Sequence, residues 1–113
     1  LGSAIKNMLS TPAHPWTIEE LARSAHMSRT SFAQNFKAVA GISPHALLTT
    51  LRLQLASQLI SRGNSAIQSI ARDVGFASES SFHKAFVRLF SCTPGEYRNR
   101  VKLLSGEGQQ ADI

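Results

Sequence analysis

Along the chain, apolar residues recur every three or four positions and almost nowhere alternate with polar ones, which is the spacing of helices and not of strands. A first helix is expected over roughly 3–10, with Ile5, Met8 and Leu9 on its buried face. It ends before TPAHP (11–15), where two prolines break the pattern. Thr17-x-x-Glu20 has the spacing of a capping box and opens a short helix with a buried stripe of Ile18, Leu21, Ala22 and Ala25. Ser28 caps a third helix to about Val39, with Gly41 as its stop. Ser43-Pro44 starts a long fourth helix, about 44–62, with serine as cap and proline at the first helical position. Ser65-x-x-Gln68 repeats the capping-box spacing ahead of a short fifth helix, whose stripe is Ile67, Ile70, Ala71 and Val74 and whose end is Gly75. Ser78 caps a sixth helix over about 79–90, and Thr93-Pro94 opens a short seventh. From about Leu104 the chain is expected to be disordered. The pattern therefore predicts an all-α protein of about seven helices.

The second half of this pattern copies the first. Leu21-Ala22 matches Ile70-Ala71, Ala25 matches Val74 and Met27 matches Phe76, all 49 residues apart. Ala77 then adds one residue, so Ser28, Ser31, Phe32 and Phe36 match Ser78, Ser81, Phe82 and Phe86 at a spacing of 50. Each copy is a short helix, a tight turn and a serine-capped longer helix, which is helix-turn-helix geometry. In VGFASESSFHKAF (74–86), Gly75 permits a left-handed turn residue, Phe76 fills the angle between the helices, and Phe82 and Phe86 pin the second helix to the core. At about 100° per residue, Thr30, Ala33, Gln34 and Lys37 face outward in the first copy, and Ser80, His83, Lys84 and Val87 in the second. These faces are small, polar and basic, as a major groove requires and an apolar protein groove does not.

Charge sharpens the choice of partner. Twelve Lys+Arg against seven Asp+Glu give a net charge of +5 and a pI near 10.2, which favours an anionic partner. No run approaches the ~18 apolar residues of a membrane span, no secretory signal is expected, and one cysteine, Cys92, leaves no disulfide to form, so the reading is cytoplasmic. The four histidines and single cysteine lack metal-ligand spacing, and no carboxylate pair, nucleophile elbow or phosphate loop marks an enzyme. Neither metal nor cofactor is expected. The six phenylalanines have core spacing and do not form a base-stacking platform, while Trp16 is read as a staple on the second helix.

The stretch IARDVGFASESSFHKAFVRLFSCTPGEYR (70–98), with WTIEELARSAHMSRTSFAQNFKAVAGISP (16–44) and RLQLA (52–56), resembles the DNA-binding domain of AraC/XylS-type bacterial transcription regulators. The resemblance runs from about Ile5 to Val101. It implies two helix-turn-helix subdomains, 1–50 and 63–103, joined by a connecting helix over 44–62 and followed by a tail over 104–113. It also implies two recognition helices that read successive major grooves of a roughly 16–20 bp promoter site. Carried over by motif, the base-contacting positions are Arg29, Thr30, Ala33, Gln34, Glu79, Ser80, His83 and Lys84. Phosphate contacts fall to Ser28, Lys37, Arg52 and Ser78. Glu79 also suits the positive end of its helix dipole. Two departures stand out: Ser91 occupies a stop position where the family usually has glycine, and Leu47 stands where the second copy has Tyr97. The family further implies transcription activation through RNA polymerase, and a small-molecule effector acting through an N-terminal domain beyond this chain. The alternative is a protein-interaction module of the same fold that binds polymerase or another regulator without reading DNA.

Overall fold

The computed structural model describes residues 1–105 of the 113. Among the described residues there are seven helices and no strand: α1 (Gly2–Ser10), α2 (Ile18–Ser24), α3 (Arg29–Ala40), α4 (Pro44–Arg62), α5 (Ile67–Asp73), α6 (Glu79–Phe90) and α7 (Pro94–Leu104). None of them is long and apolar enough to cross a membrane. The chain divides into two compact units between Arg52 and Leu53, so the two ends of α4 serve different cores.

In the first unit, Ala4, Met8, Leu21, Ala22, Phe32, Phe36 and Leu48 form the core, with Trp16, Met27, Leu47 and Leu51 packed against it. Ala4 and Met8 take the buried face of α1; Leu9, expected there, is 57% exposed. The Thr17–Glu20 capping box forms as its spacing predicts, with Glu20 N donating to Thr17 Oγ1 at 3.1 Å and Thr17 N donating to Glu20 Oε1 at 3.2 Å. Its carboxylate also meets His14 Nε2 at 3.1 Å, and that hydrogen bond is the chief reason the Glu20 pKa lies below its ordinary value. Trp16 packs against His14 with ring centroids 4.2 Å apart and planes tilted by 57°, and donates its indole N–H to Thr11 O at 2.8 Å. Ser43 caps α4 through Ala46 N at 3.1 Å.

The second core gathers Leu53, Ala56 and Ile60 of α4 with Ile70, Ala71, Val74, Phe82 and Phe86. Around Phe86 lie Phe90 and Tyr97, at centroid distances of 4.5 and 5.6 Å. Leu47 takes the corresponding place in the smaller first core, so an aliphatic residue replaces an aromatic where fewer rings surround it. Cys92 is buried beside the Thr93 cap.

One expectation needs correction here. The Ser65–Gln68 capping box does not form: Ala66 is the N-cap of α5 and no side chain bonds to its first turn. The second capping box lies instead at Thr93–Glu96, where Thr93 N donates to Glu96 Oε1 at 2.9 Å and Glu96 N donates to Thr93 Oγ1 at 3.1 Å. Helix α7 ends at Leu104, about where the tail was expected to begin, and residues 106–113 of that expected tail lie outside the described residues.

Candidate nucleic-acid interface

The two tight turns have the same hydrogen-bond plan. After α2, Met27 N donates to Ala22 O at 2.9 Å and His26 N to Arg23 O at 3.1 Å; after α5, Phe76 N donates to Ala71 O at 3.0 Å and Gly75 N to Arg72 O at 3.1 Å. This is the Schellman arrangement, which needs one left-handed residue and an apolar residue after it. Gly75 supplies the left-handed position at φ +106° in the second unit, and His26 supplies it at φ +57° in the first. Met27 and Phe76 are the apolar followers, and Phe76 meets Phe82 edge-on at 5.2 Å.

From each turn the chain enters a serine-capped helix. Ser31 N donates to Ser28 Oγ at 3.2 Å, and Ser81 N donates to Ser78 Oγ at 3.1 Å. Both helices end on a left-handed residue, Gly41 at φ +80° and Ser91 at φ +61°, whose N–H donates to Lys37 O and Val87 O. Ser91 thus takes the glycine position. Phe32 and Phe36, like Phe82 and Phe86, are fully buried, which fixes the rotation of α3 and α6 about their axes.

That rotation leaves Thr30, Ala33, Gln34 and Lys37 exposed on α3, and Glu79, Ser80, His83 and Lys84 exposed on α6. Val87, expected with the outer set of α6, is half-buried. Among the described residues, Gln34, Lys37, Glu79, His83 and Lys84 make no side-chain hydrogen bond or ion pair, so their polar groups remain available to a ligand. Arg29 is exposed and pairs with Glu19 of α2 at 3.3 Å. The hydroxyl oxygens of Ser28 and Ser78 are turned onto their own helices, and Ser78 Oγ also lies 2.9 Å from Ser81 Oγ.

Arg52 stands apart from the other expected phosphate contacts. Its Nε donates to Pro12 O and its Nη2 to His14 O, both at 2.8 Å, and partial burial draws its pKa down from the ordinary arginine value. The guanidinium ties α4 to the loop ahead of α2, with two of its five N–H donors committed to carbonyls. Arg98 of α7 has the same role in the second unit, donating to Ile60 O at 3.2 Å and Ser65 O at 2.8 Å, and Lys102 donates to Asn64 Oδ1 at 3.1 Å. Neither Glu19 nor Arg98 was singled out from the sequence, because their partners are distant in the chain and carry no motif.

A family model described as a helix-turn-helix domain matches residues 21–100. The chain is 60% identical over 105 residues to the RCS-specific HTH-type transcriptional activator RclR of Escherichia coli strain K12, a match covering 93% of this chain and 37% of that protein. It is 37% identical over 98 residues to the HTH-type transcriptional regulator MtrA of Neisseria gonorrhoeae, covering 87% of this chain and 33% of that one. The chain thus spans about a third of the length of these relatives. Its fold is similar to the DNA-binding domain of AdpA, solved in complex with a target DNA, with a TM-score of 0.85, 25% identity, and 90% and 92% of the two chains covered. It is also similar to an AraC-type regulator from Chromobacterium violaceum, with a TM-score of 0.82, 28% identity, and 89% and 90% covered. With two Schellman-type turns, two serine-capped helices and a family match across both, the chain belongs to the AraC/XylS-type helix-turn-helix family, the DNA-binding domains of bacterial transcription regulators.

Proposed function

We infer that this chain reads double-stranded DNA by sequence, with α3 and α6 each entering a major groove, as the DNA-binding part of a transcription activator. The observation that carries the reading is the doubled unit itself: two helices held by buried phenylalanines, each presenting exposed polar side chains without partners among the described residues. Gln34 suits adenine N6/N7, Lys84 and His83 suit guanine, and Thr30, Ala33 and Ser80 approach base edges closely. Arg29, steered by Glu19, reaches a base or phosphate at the rim of α3. Glu79 stabilises the positive end of α6 and accepts from cytosine N4 where the site offers one. Lys37 and the free N–H groups behind Ser28 and Ser78 hold phosphates. Arg52 is left out of this set, because its Nε and Nη2 bonds hold the side chain against the Pro12–His14 segment.

The wider reading is of a regulator at work in the cytoplasm, with no catalytic step. It activates by touching RNA polymerase, and a domain beyond this chain senses a small molecule. The relative named a transcriptional activator supports the reading of activation. Selection from random duplexes of ~30 bp near physiological salt tests the core of it. Two enriched motifs with centres about 10–11 bp apart are expected. A single motif would mean that one unit reads and the other only holds backbone. No enrichment by a folded chain would favour the protein-interaction module.

A further inference from the structure

The repeat predicts that Ile18 and Ile67 are equivalent core residues at the starts of α2 and α5; both are half-buried, and they differ in what they line. Ile67 packs against the second core. Ile18 is half-buried and lines an open concavity on the surface of the first unit together with Arg29, Thr30, Ala33 and Gln34. Among its lining groups the Ile18 side chain, the Ala33 methyl and the Thr30 methyl are apolar, and Arg29 and Gln34 supply polar groups. Arg29 is paired with Glu19 at 3.3 Å, which holds it beside the hollow. In the second unit the corresponding side chains are Ile67, His83, Ser80, Glu79 and Lys84: the isoleucine, equally half-buried, packs against the core, and the alanine and threonine methyls are replaced by an imidazole and a bare hydroxymethyl.

Resting on the DNA reading above, we propose that Ile18 is a specificity-determining residue of the first unit, and that Ile18, Thr30 and Ala33 together form a receptor for the C5-methyl group of a thymine. In the major groove the only apolar feature that distinguishes one base edge from another is this methyl group, and it is what an apolar hollow between polar arms recognises. The two units then read DNA by different means. The first senses a methyl group, with Gln34 on a neighbouring adenine; the second offers donors to purine acceptors. Ile18 lies outside the recognition helix, so no wheel drawn on α3 alone would find it.

The test exchanges single thymines for deoxyuracil in a duplex enriched from the random pool, removing one methyl and changing no base-pair hydrogen bond. Burying one such group is worth about 0.8 kcal/mol, so at one thymine, or two adjacent ones, affinity is expected to fall about three- to fivefold. Ile18→Ala should bind the deoxyuracil duplex as wild type does while losing its preference for thymine. Thr30→Ser, an exposed change that keeps the hydroxyl and the fold, should weaken that preference, and Lys84→Ala should leave it intact. If wild type binds the enriched duplex equally well with every thymine replaced, the methyl receptor is overturned and the DNA reading stands. The receptor is equally overturned if a methyl preference exists but survives both Ile18→Ala and Thr30→Ser. A folded chain that enriches no duplex overturns the DNA reading and this inference together.

Discussion

His26 and Ser91 hold backbone conformations that glycine holds in the other unit: His26 matches Gly75, and Ser91 matches Gly41. A Cβ in the left-handed region costs about 1–2 kcal/mol, part of which glycine gives back through its greater freedom when unfolded. Ser91→Gly and His26→Gly are therefore each expected to stabilise the chain by about 0.5–1 kcal/mol, read as a higher urea midpoint at unchanged slope. The reverse change, Gly41→Ala, meets no neighbour within 4 Å, so its loss of about 1 kcal/mol would report backbone strain alone. The strain at Ser91 was legible in the sequence because the repeat and the family resemblance both mark its position. At His26 only a turn was legible, since histidine carries no signal of its own for a positive φ. At the reading surface, Gln34→Ala is expected to relax selectivity at one base pair by about 1–3 kcal/mol, seen as a lost preference in repeat selection while the fold stays intact.

At the scale of helices, local rules placed most starts and stops, since a cap is a contact between residues three apart. Ser28, Ser43, Ser78 and the Thr17–Glu20 box all form as spaced. Ser65 shows where such rules fail. Its spacing to Gln68 matches a capping box, yet α5 begins after Ala66, and the Ser65 carbonyl accepts from Arg98, 33 residues away. A contact across that separation leaves no local pattern. Two substitutions separate the cases: Ser78→Ala should cost about 1 kcal/mol, whereas Ser65→Ala should change stability by no more than about 0.5 kcal/mol. The two boxes that do form also set an acid limit. Glu20 is held below 4.5 chiefly by the hydrogen bond with His14, and Glu96 chiefly by the Thr93 N–H. A carboxylate with a depressed pKa in the folded chain takes up protons more readily when unfolded, so its contribution is present above 4.5 and is lost as pH falls below it. Urea midpoints measured from about pH 6 down to pH 3 should decline, and Glu96→Gln, which keeps the box but removes the titration, should decline less steeply.

Over the whole molecule the sequence revealed the doubling, because the same apolar and serine positions recur at 49 and 50 residues, and it located the faces of α3 and α6, because buried phenylalanines fix them. It did not reveal which cations are already in use. Arg52 and Arg98 look available in a basic chain, yet each guanidinium donates to two backbone carbonyls and ties the last helix of its unit to the segment ahead of the short one. Carbonyl partners 33 to 40 residues away are invisible to charge counting. The distinction has a measurable consequence, because stability and salt dependence report different things. Each phosphate neutralised contributes about 0.9 to the slope of log affinity against log salt, whereas a charged hydrogen bond to backbone contributes about 1.5–3 kcal/mol to folding. Lys37→Ala should therefore reduce the salt slope by about one phosphate and leave the urea midpoint where it was. Arg52→Met, measured below its own unfolding midpoint, should do the opposite, losing about 2 kcal/mol of stability at an unchanged salt slope. A stable Arg52→Met variant with a shallower slope would return Arg52 to the phosphates, and the tie between α4 and the loop at Pro12–His14 would then be dispensable to the fold.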